Sequence, residues 1–193
     1  MKLHWAVLAA ATGLVASLAF GQGAPAQQAA PAGAPRDKLS VALPSVGIKR
    51  CQPAMARLSA LSLQGSRNHD LLLDWDRKRP DNGAVFAFLG IEYPNAGVAA
   101  AINAFPEADG SCTVAAERIS VAPFTCASIA QQELTGYQMT RLLPIYVVYV
   151  DPKEPNSSVS LIDSPPGCLV IRRFVEYSWK DPAAAAPAAP ARR

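Results

Sequence analysis

Residues 70–93, which read DLLLDWDRKRPDNGAVFAFLGIEY, decide the expected fold. The first seven alternate between an apolar face and a largely acidic face, which is typical of a half-buried β-strand. Residues 84–93 are apolar on both faces, as in the central strand of a sheet. The polar segment between them ends in Asn82-Gly83, a strong turn signal, so we expect the two strands to pair as a hairpin.

The rest of the central region predicts further strands and a few short helices. Strand-like patterns occur at residues 113–121, 145–150, 159–162 and 169–177. A capping residue precedes an apolar run at two places, which predicts helices at residues 96–105 after Asn95 and 126–135 after Thr125. Residues 55–64 fit a helix better than a strand, although both remain open. Because hairpins outnumber strand–helix–strand units, we expect an α+β fold, with a largely antiparallel sheet of five or six strands and two or three short helices.

The chain ends indicate export. Residues 1–21 combine a weakly basic start, an uncharged apolar run and small residues where a signal peptidase cuts, so they predict a cleaved signal peptide, with an uncleaved anchor as the alternative. Residues 22–38 form an Ala/Pro/Gln-rich linker, and residues 181–193 form an Ala/Pro-rich tail. Between them we expect one disulfide-stabilised domain at residues 39–180. No second long apolar run follows, so no transmembrane segment is expected after cleavage.

All four cysteines lie in the expected domain, at Cys51, Cys112, Cys126 and Cys168. An even number of cysteines after a secretory signal indicates two disulfides. A strand between Cys112 and Cys126 would hold their Cα atoms farther apart than the roughly 7 Å that a bridge allows, which disfavours that pairing. Of the two remaining connectivities we favour Cys51–Cys112 with Cys126–Cys168.

A weak internal echo supports this choice. A Pro-Asn turn leads to a Gly and a Cys at the start of a strand in residues 94–114 and again in residues 155–170. A true repeat would place one disulfide in each half of the domain. Turn residues recur in many proteins, so chance similarity is the alternative.

Composition excludes several classes of function. The chain has 18 Lys and Arg against 15 Asp and Glu, a net charge of +3, so a nucleic-acid-binding footprint is not supported. Of two histidines, His4 lies in the expected signal peptide, which excludes a multi-histidine metal site within one mature chain. The sequence contains no Walker, Rossmann, zinc-ribbon, nucleophile-elbow or H-E-x-x-H motif. We therefore assign no catalytic residue, metal ligand or cofactor.

Several polar residues could have either a functional role, in catalysis, metal binding or partner binding, or an ordinary structural one. His69 next to Asp70 and near Ser66 suggests a catalytic triad, but neighbouring residues on a strand point to opposite faces, so we interpret His69 as a strand-edge histidine. Asp70, Asp74 and Asp76 are interpreted as a solvated strand face rather than a cation site. Two basic runs are candidate partner contacts, although a simple charged loop would explain the first: Arg77, Lys78 and Arg79, and Arg172 and Arg173.

These observations favour an exported, non-catalytic binding domain that acts in the bacterial periplasm or outside the cell, through contacts with another protein or an envelope component. Its expected contact surfaces are the loops at residues 77–83 and 151–158 and a free sheet edge at the last strand, residues 169–177.

Two alternatives remain. The first is a secreted inhibitor or immunity protein of an extracytoplasmic enzyme, which would present the turn at residues 164–167 beside Cys168. The second is a small secreted hydrolase, whose candidate residues Asp74, Asp76, Glu92 and His69 would have to meet in one cleft.

Overall fold

The computed structural model describes residues 37–182, which form one antiparallel sheet of eight strands and three helices. The expected signal peptide and most of the expected linker and tail lie outside these residues. In chain order the elements are α1 (Lys38–Ser45), α2 (Gln52–Ser62), β1 (Asn68–Trp75), β2 (Val85–Tyr93), β3 (Ala96–Pro106), β4 (Cys112–Ala122), α3 (Cys126–Glu133), β5 (Gln138–Leu143), β6 (Tyr146–Val150), β7 (Ser157–Ser164) and β8 (Gly167–Trp179).

The strands follow the order β1-β2-β3-β4-β8-β7-β6-β5 across the sheet. Each group of four consecutive strands is a meander of hairpins, and the two groups meet where β4 pairs with β8. The edges of the sheet are therefore β1 and β5.

Local side-chain chemistry explains where the helices begin. The Asp37 carboxylate accepts a hydrogen bond from the Leu39 amide at 3.0 Å and caps α1. The Thr125 hydroxyl accepts one from the Ser128 amide at 3.2 Å and caps α3, as predicted. A proline in the first turn of α2 needs no amide partner there.

One face of the sheet packs against the helices. In β2 and β3 every second side chain is buried, and the main core joins them to Leu39 and Leu43 of α1 and Met55 of α2. A smaller core joins α3 to β7 and β8 and consists of Ile129, Leu134, Val159, Leu161, Cys168 and Val170. The two halves of the sheet are covered unequally by helices. Two helices pack against the half formed by β1–β4, and one short helix packs against the half formed by β5–β8.

The disulfides are Cys51–Cys112 and Cys126–Cys168, the pairing that the sequence favours. Each bridge joins the start of a helix to the start of the last strand in its own half of the sheet. The two stretches of the internal echo correspond to the equivalent hairpins β3–β4 and β7–β8. Glu117 pairs with Arg173 at the centre of β4–β8, and each lies five residues after its cysteine. The order of elements is thus two-fold symmetric about this pair: α2 followed by β1–β4 corresponds to α3 followed by β5–β8. Helix α1 has no counterpart in the second half.

The α+β class and the antiparallel sheet are confirmed, but the expectation of five or six strands is wrong. Residues 96–105, expected to be a helix, form β3. Their alanines favour a helix locally, yet Val98, Ala100, Ile102 and Ala104 are buried with the two-residue period of a strand, so packing between β2 and β4 decides. Strand β5 was not expected, because its six exposed residues show no alternation.

The expected free edge at residues 169–177 is also wrong. These residues belong to β8, which hydrogen-bonds to β4 on one side and β7 on the other. Position along the chain does not determine position in the sheet, and the long-range pairing of β8 with β4 places the last strand near the middle.

Candidate functional site

The sheet face opposite the helices carries large apolar side chains that contact solvent. In β2, Val85 and Leu89 are fully buried on the helix side, whereas Phe86 and Phe88 on the other side are 47% and 46% exposed. Strand register continues this second face across all eight strands. We call it the open face, and its large exposed members are Leu72, Phe86, Phe88, Phe105, Val121 and Tyr177.

Two features give the open face local shape. The rings of Phe86 and Phe105 meet edge to face, with their centroids 5.8 Å apart. Across the sheet, a shallow cleft of about 360 Å³ includes Val148, Val175 and Tyr177 among its lining residues. Aromatic rings contribute apolar area to both features, and the cleft is also lined by Ser157, Ser158 and Arg173.

Charge at the middle of the open face is paired within the chain. The Arg173 Nε atom lies 3.3 Å from the Glu117 carboxylate, at the two-fold centre described above. Asp70 and Asp74 lie on the same face at the β1 edge and are exposed. The large apolar side chains of the open face therefore lie between the Glu117–Arg173 ion pair at its centre and the two aspartates at the β1 edge.

The first basic run lies in the connection between β1 and β2 and is largely engaged by its own neighbours. The Arg77 guanidinium stacks over the Trp75 ring at 5.3 Å, and Arg79 forms an ion pair with Asp76 at 2.9 Å. The Lys78 amide and the Arg79 side chain hydrogen-bond to Asp76 and lower the pKa of its carboxyl. These contacts support the interpretation of a structured charged loop, on which Lys78 is exposed.

The second basic pair is split between the two faces of β8, as the alternation of a strand requires. Arg172 forms an ion pair with Glu133 of α3 on the helix side, and Arg173 contacts Glu117 on the open face. Arg77, Lys78 and Arg79 therefore share no patch with Arg172 and Arg173.

The two loops that the sequence marks as contact surfaces lie at the same end of the sheet but far apart. Residues 77–83 join β1 to β2, and residues 151–156 join β6 to β7. About five strand spacings separate these hairpins in the strand order, which corresponds to roughly 24 Å. A partner that contacted both loops would have to extend over the end of β3, β4 and β8.

His69 is a buried residue of the helix side. Its side chain is 2% exposed, and its Nε2 atom accepts a hydrogen bond from the Lys38 amide at 3.1 Å. Burial lowers the pKa of His69 below its ordinary value. Asp70 lies on the opposite face and pairs with the Lys38 ammonium at 3.1 Å, so the adjacent histidine and aspartate do not form a dyad.

Asp74 and Asp76 do not converge with His69, whereas Glu92 lines the same shallow cleft of about 370 Å³ as His69 and Asp70. Strand alternation nevertheless places the Glu92 side chain on the open face and the His69 ring on the helix side. Asp74 is paired with Phe86 on the open face, and Glu92 is paired with Asn68 at the opposite end of the hairpin. Asp76 lies beyond the end of β1 in the basic loop. Within residues 37–182 there is no cluster of three or more histidine, cysteine, aspartate or glutamate side chains suited to a metal ion.

The turn at residues 164–167 joins β7 to β8 as expected and is anchored at one end. A Cβ atom on Gly167 would lie 2.3 Å from the Ala122 carbonyl oxygen, so only glycine fits this close approach. Pro165 and Pro166 are exposed, while the adjacent Cys168 is buried in its disulfide. The turn is thus an exposed loop on a fixed base.

Sequence reasoning missed a cleft of about 440 Å³ at the end of the sheet where α2 begins. Its charged lining includes Lys49, Arg50, Asp109 and Lys180. The Ser111 hydroxyl and amide hydrogen-bond to Asp109 and lower its pKa to about 2, and Lys180 pairs with the same carboxylate at 3.3 Å. These basic groups are too distant in sequence to form a recognisable motif.

The open face was also missed, although its signal is present in β2. Apolar residues on both faces of β2 predict a central strand, which the structure confirms, but the pattern does not show that the second apolar face meets solvent. Phe86 and Phe88 carry this signal.

No helix among residues 37–182 has the length and hydrophobicity needed to cross a membrane. The chain matches no protein-family model, and no curated protein or solved structure is significantly similar to it.

Proposed function

We propose that this chain is an exported, non-catalytic binding domain that contacts another protein or an envelope component in the bacterial periplasm or outside the cell, and that the open face is its binding surface. The observation that carries the proposal is the exposure of large apolar side chains on the open face of β1–β4 and β8, around the paired Glu117–Arg173 centre. Monomeric proteins rarely leave an extended apolar surface in water, and such surfaces commonly mark interaction sites.

The disulfides support the location. Two bridges join all four cysteines, and none of the cysteines is free. Stable structural disulfides are typical of oxidising compartments and rare in the cytosol. Fusion of residues 1–38 to a reporter that is active only after export tests this part: an inactive reporter would contradict it.

The binding part is tested by crosslinking and affinity capture from the native envelope. The double variant Phe88→Thr, Val121→Thr removes apolar area from the open face and places threonine, a β-branched residue that favours strands, at both positions. A partner that uses the open face should be recovered at least tenfold less with this variant. The matched control is Leu61→Gln, which changes an exposed leucine of α2 on the helix side. Equal recovery by wild type and double variant would remove the open face as the binding surface.

A secreted inhibitor is the second candidate, favoured by the exposed turn Pro165-Pro166 on its anchored base. It predicts stoichiometric recovery of one hydrolase, lost on Pro166→Ala and retained by the open-face double variant. If no partner is recovered at all, the result would favour the small secreted hydrolase over both binding functions.

A further inference from the structure

The two sheet edges, β1 and β5, differ in how they are protected against pairing with another strand. Strand β1 exposes Asp70 and Asp74, and α1 packs against it. Strand β5 is exposed at all six positions, and Met139, Leu142 and Leu143 are 56%, 55% and 56% exposed. Charged side chains, covering helices and β-bulges are common devices that block edge pairing. Strand β5 has Arg141 as its one charge and no covering helix, and its only irregularity is a register shift between Arg141 and Leu143 near its end.

The helix side of β5 is open as well. Helix α1 packs on β1 and α2 in the first half, but the second half has only α3, which packs on β7 and β8. The hairpin β5–β6 therefore has no fully buried residue. An apolar strand that is accessible at its edge and on both faces presents backbone groups that another strand can bind.

We propose that β5 pairs antiparallel with β5 of a second copy of this chain. The amides and carbonyls along its outer side form a template for an extended strand, and an identical strand supplies a matching row. Antiparallel pairing of identical strands is two-fold symmetric, so the contact closes as a dimer instead of continuing as a fibre. The acidic residues of β1 oppose the equivalent pairing at the other edge, because like charges would face each other.

The alternation of side chains fixes the register. A two-fold axis perpendicular to the sheet keeps each residue on its own face, so the axis must pass through a residue position and not between two. Placing it at Arg141 would set two guanidinium groups opposite each other. Placing it at Thr140 sets Arg141 opposite the partner's Met139 on both sides of the axis. The outermost pairs, residue 138 with residue 142, fall at the register shift between Arg141 and Leu143. The Thr140 register is therefore the expected one.

The size of the contact predicts a weak dimer. A six-residue strand is roughly 20 Å long, so the edge pairing buries much less than the roughly 800 Å² per partner of a standard stable interface. We expect reversible dimerisation in the micromolar range or above. This inference goes beyond the proposed binding function and does not depend on it.

Sedimentation equilibrium of the purified mature chain, residues 22–193, tests the dimer across the micromolar range. The variant Thr140→Lys places two lysines opposite each other on the axis and should raise the dissociation constant about fivefold. The matched control Asn68→Lys introduces the same charge at an exposed polar residue of the other edge strand, β1, and should leave the constant unchanged. A mixture of Thr140→Lys and Thr140→Glu proteins should dimerise more tightly than either alone.

Hydrogen exchange of the wild-type chain supplies a readout that needs no substitution. Amides of β5 should exchange more slowly as concentration rises, and amides of β1 should not. A chain that stays monomeric at high micromolar concentration overturns the proposal. A dimer that responds equally to Asn68→Lys, or whose mixed lysine and glutamate variants fail to associate, overturns it too.

Discussion

Removal of the Cys126–Cys168 disulfide by Cys126→Ala, Cys168→Ala should destabilise the whole chain. The bridge closes a separation of 42 residues, for which the loss of chain entropy in the unfolded state corresponds to about 4 kcal/mol. The Cys51–Cys112 bridge spans 61 residues and corresponds to about 0.3 kcal/mol more, because the effect grows only with the logarithm of the span. The double variant Cys51→Ala, Cys112→Ala is therefore a matched control with nearly the same expected loss.

The two halves are unequal in their cores, and this makes the comparison informative. The first core has 17 buried residues and the second has six, so the second half is the weaker unit on its own. The long ladder between β4 and β8 couples them. If that coupling holds, loss of either bridge lowers the free energy of unfolding of the whole domain by a similar amount.

Urea unfolding followed by tryptophan fluorescence and by far-UV circular dichroism measures this. Trp75 lies on β1, whereas Trp179 packs on the first core from β8 of the second half. In a Trp179→Phe background, Trp75 fluorescence therefore reports on the half that keeps its own bridge in the Cys126→Ala, Cys168→Ala variant. We expect both signals to shift together. A fluorescence shift of less than about 1 kcal/mol, with a separate early transition in the dichroism signal, would refute the reasoning that the halves unfold as one.

Three further changes test the structure elsewhere. Gly167→Ala places a Cβ atom 2.3 Å from the Ala122 carbonyl oxygen and should cost about 1–3 kcal/mol in urea unfolding, whereas Gly90→Ala, with no atom within 4 Å, should not clash; equal losses would contradict this account. Asp37→Ala removes the α1 cap and should cost about 1 kcal/mol in the same assay, and a neutral result would show that the cap is dispensable. Because burial lowers the pKa of His69 below its ordinary value of 6.5, the unfolded chain binds this proton at higher pH than the folded chain, so stability should decrease as the pH falls below about 6.5. His69→Gln should flatten that part of the stability–pH curve, and an unchanged slope would assign it to other groups.

Local patterns in the sequence predict the elements that local chemistry determines. The β1–β2 hairpin follows from its alternation and turn, β6 from its run of β-branched and aromatic residues, and α3 from its Thr125 cap. Strand β3 escapes this reasoning because its alanines favour a helix in isolation, and only its position between β2 and β4 makes it a strand.

Strand order and the choice of covered face depend on interactions between distant residues. The pairing of Glu117 with Arg173 joins strands 56 positions apart in the chain, and it turns the expected free edge into the centre of the sheet. Alternation in β2 places Leu89 and Phe88 on opposite faces of the strand, but it does not indicate which of the two faces a helix covers. The candidate site was therefore hidden in a pattern that was otherwise interpreted correctly as a strand.

The placement of the two disulfides has a consequence for how the chain could be divided. Each disulfide lies within one half of the sheet, β1–β4 or β5–β8, and neither spans the boundary between β4 and β8. Within residues 37–182 the backbone passes from the first half to the second only at residues 123–125. A cut at the exposed Phe124 would leave two pieces, each with its own bridge and its own half of the sheet. The two halves are therefore organised like the two subunits of a heterodimer that one short linker joins. If the two pieces are synthesised separately, we expect them to be suitable for fragment complementation.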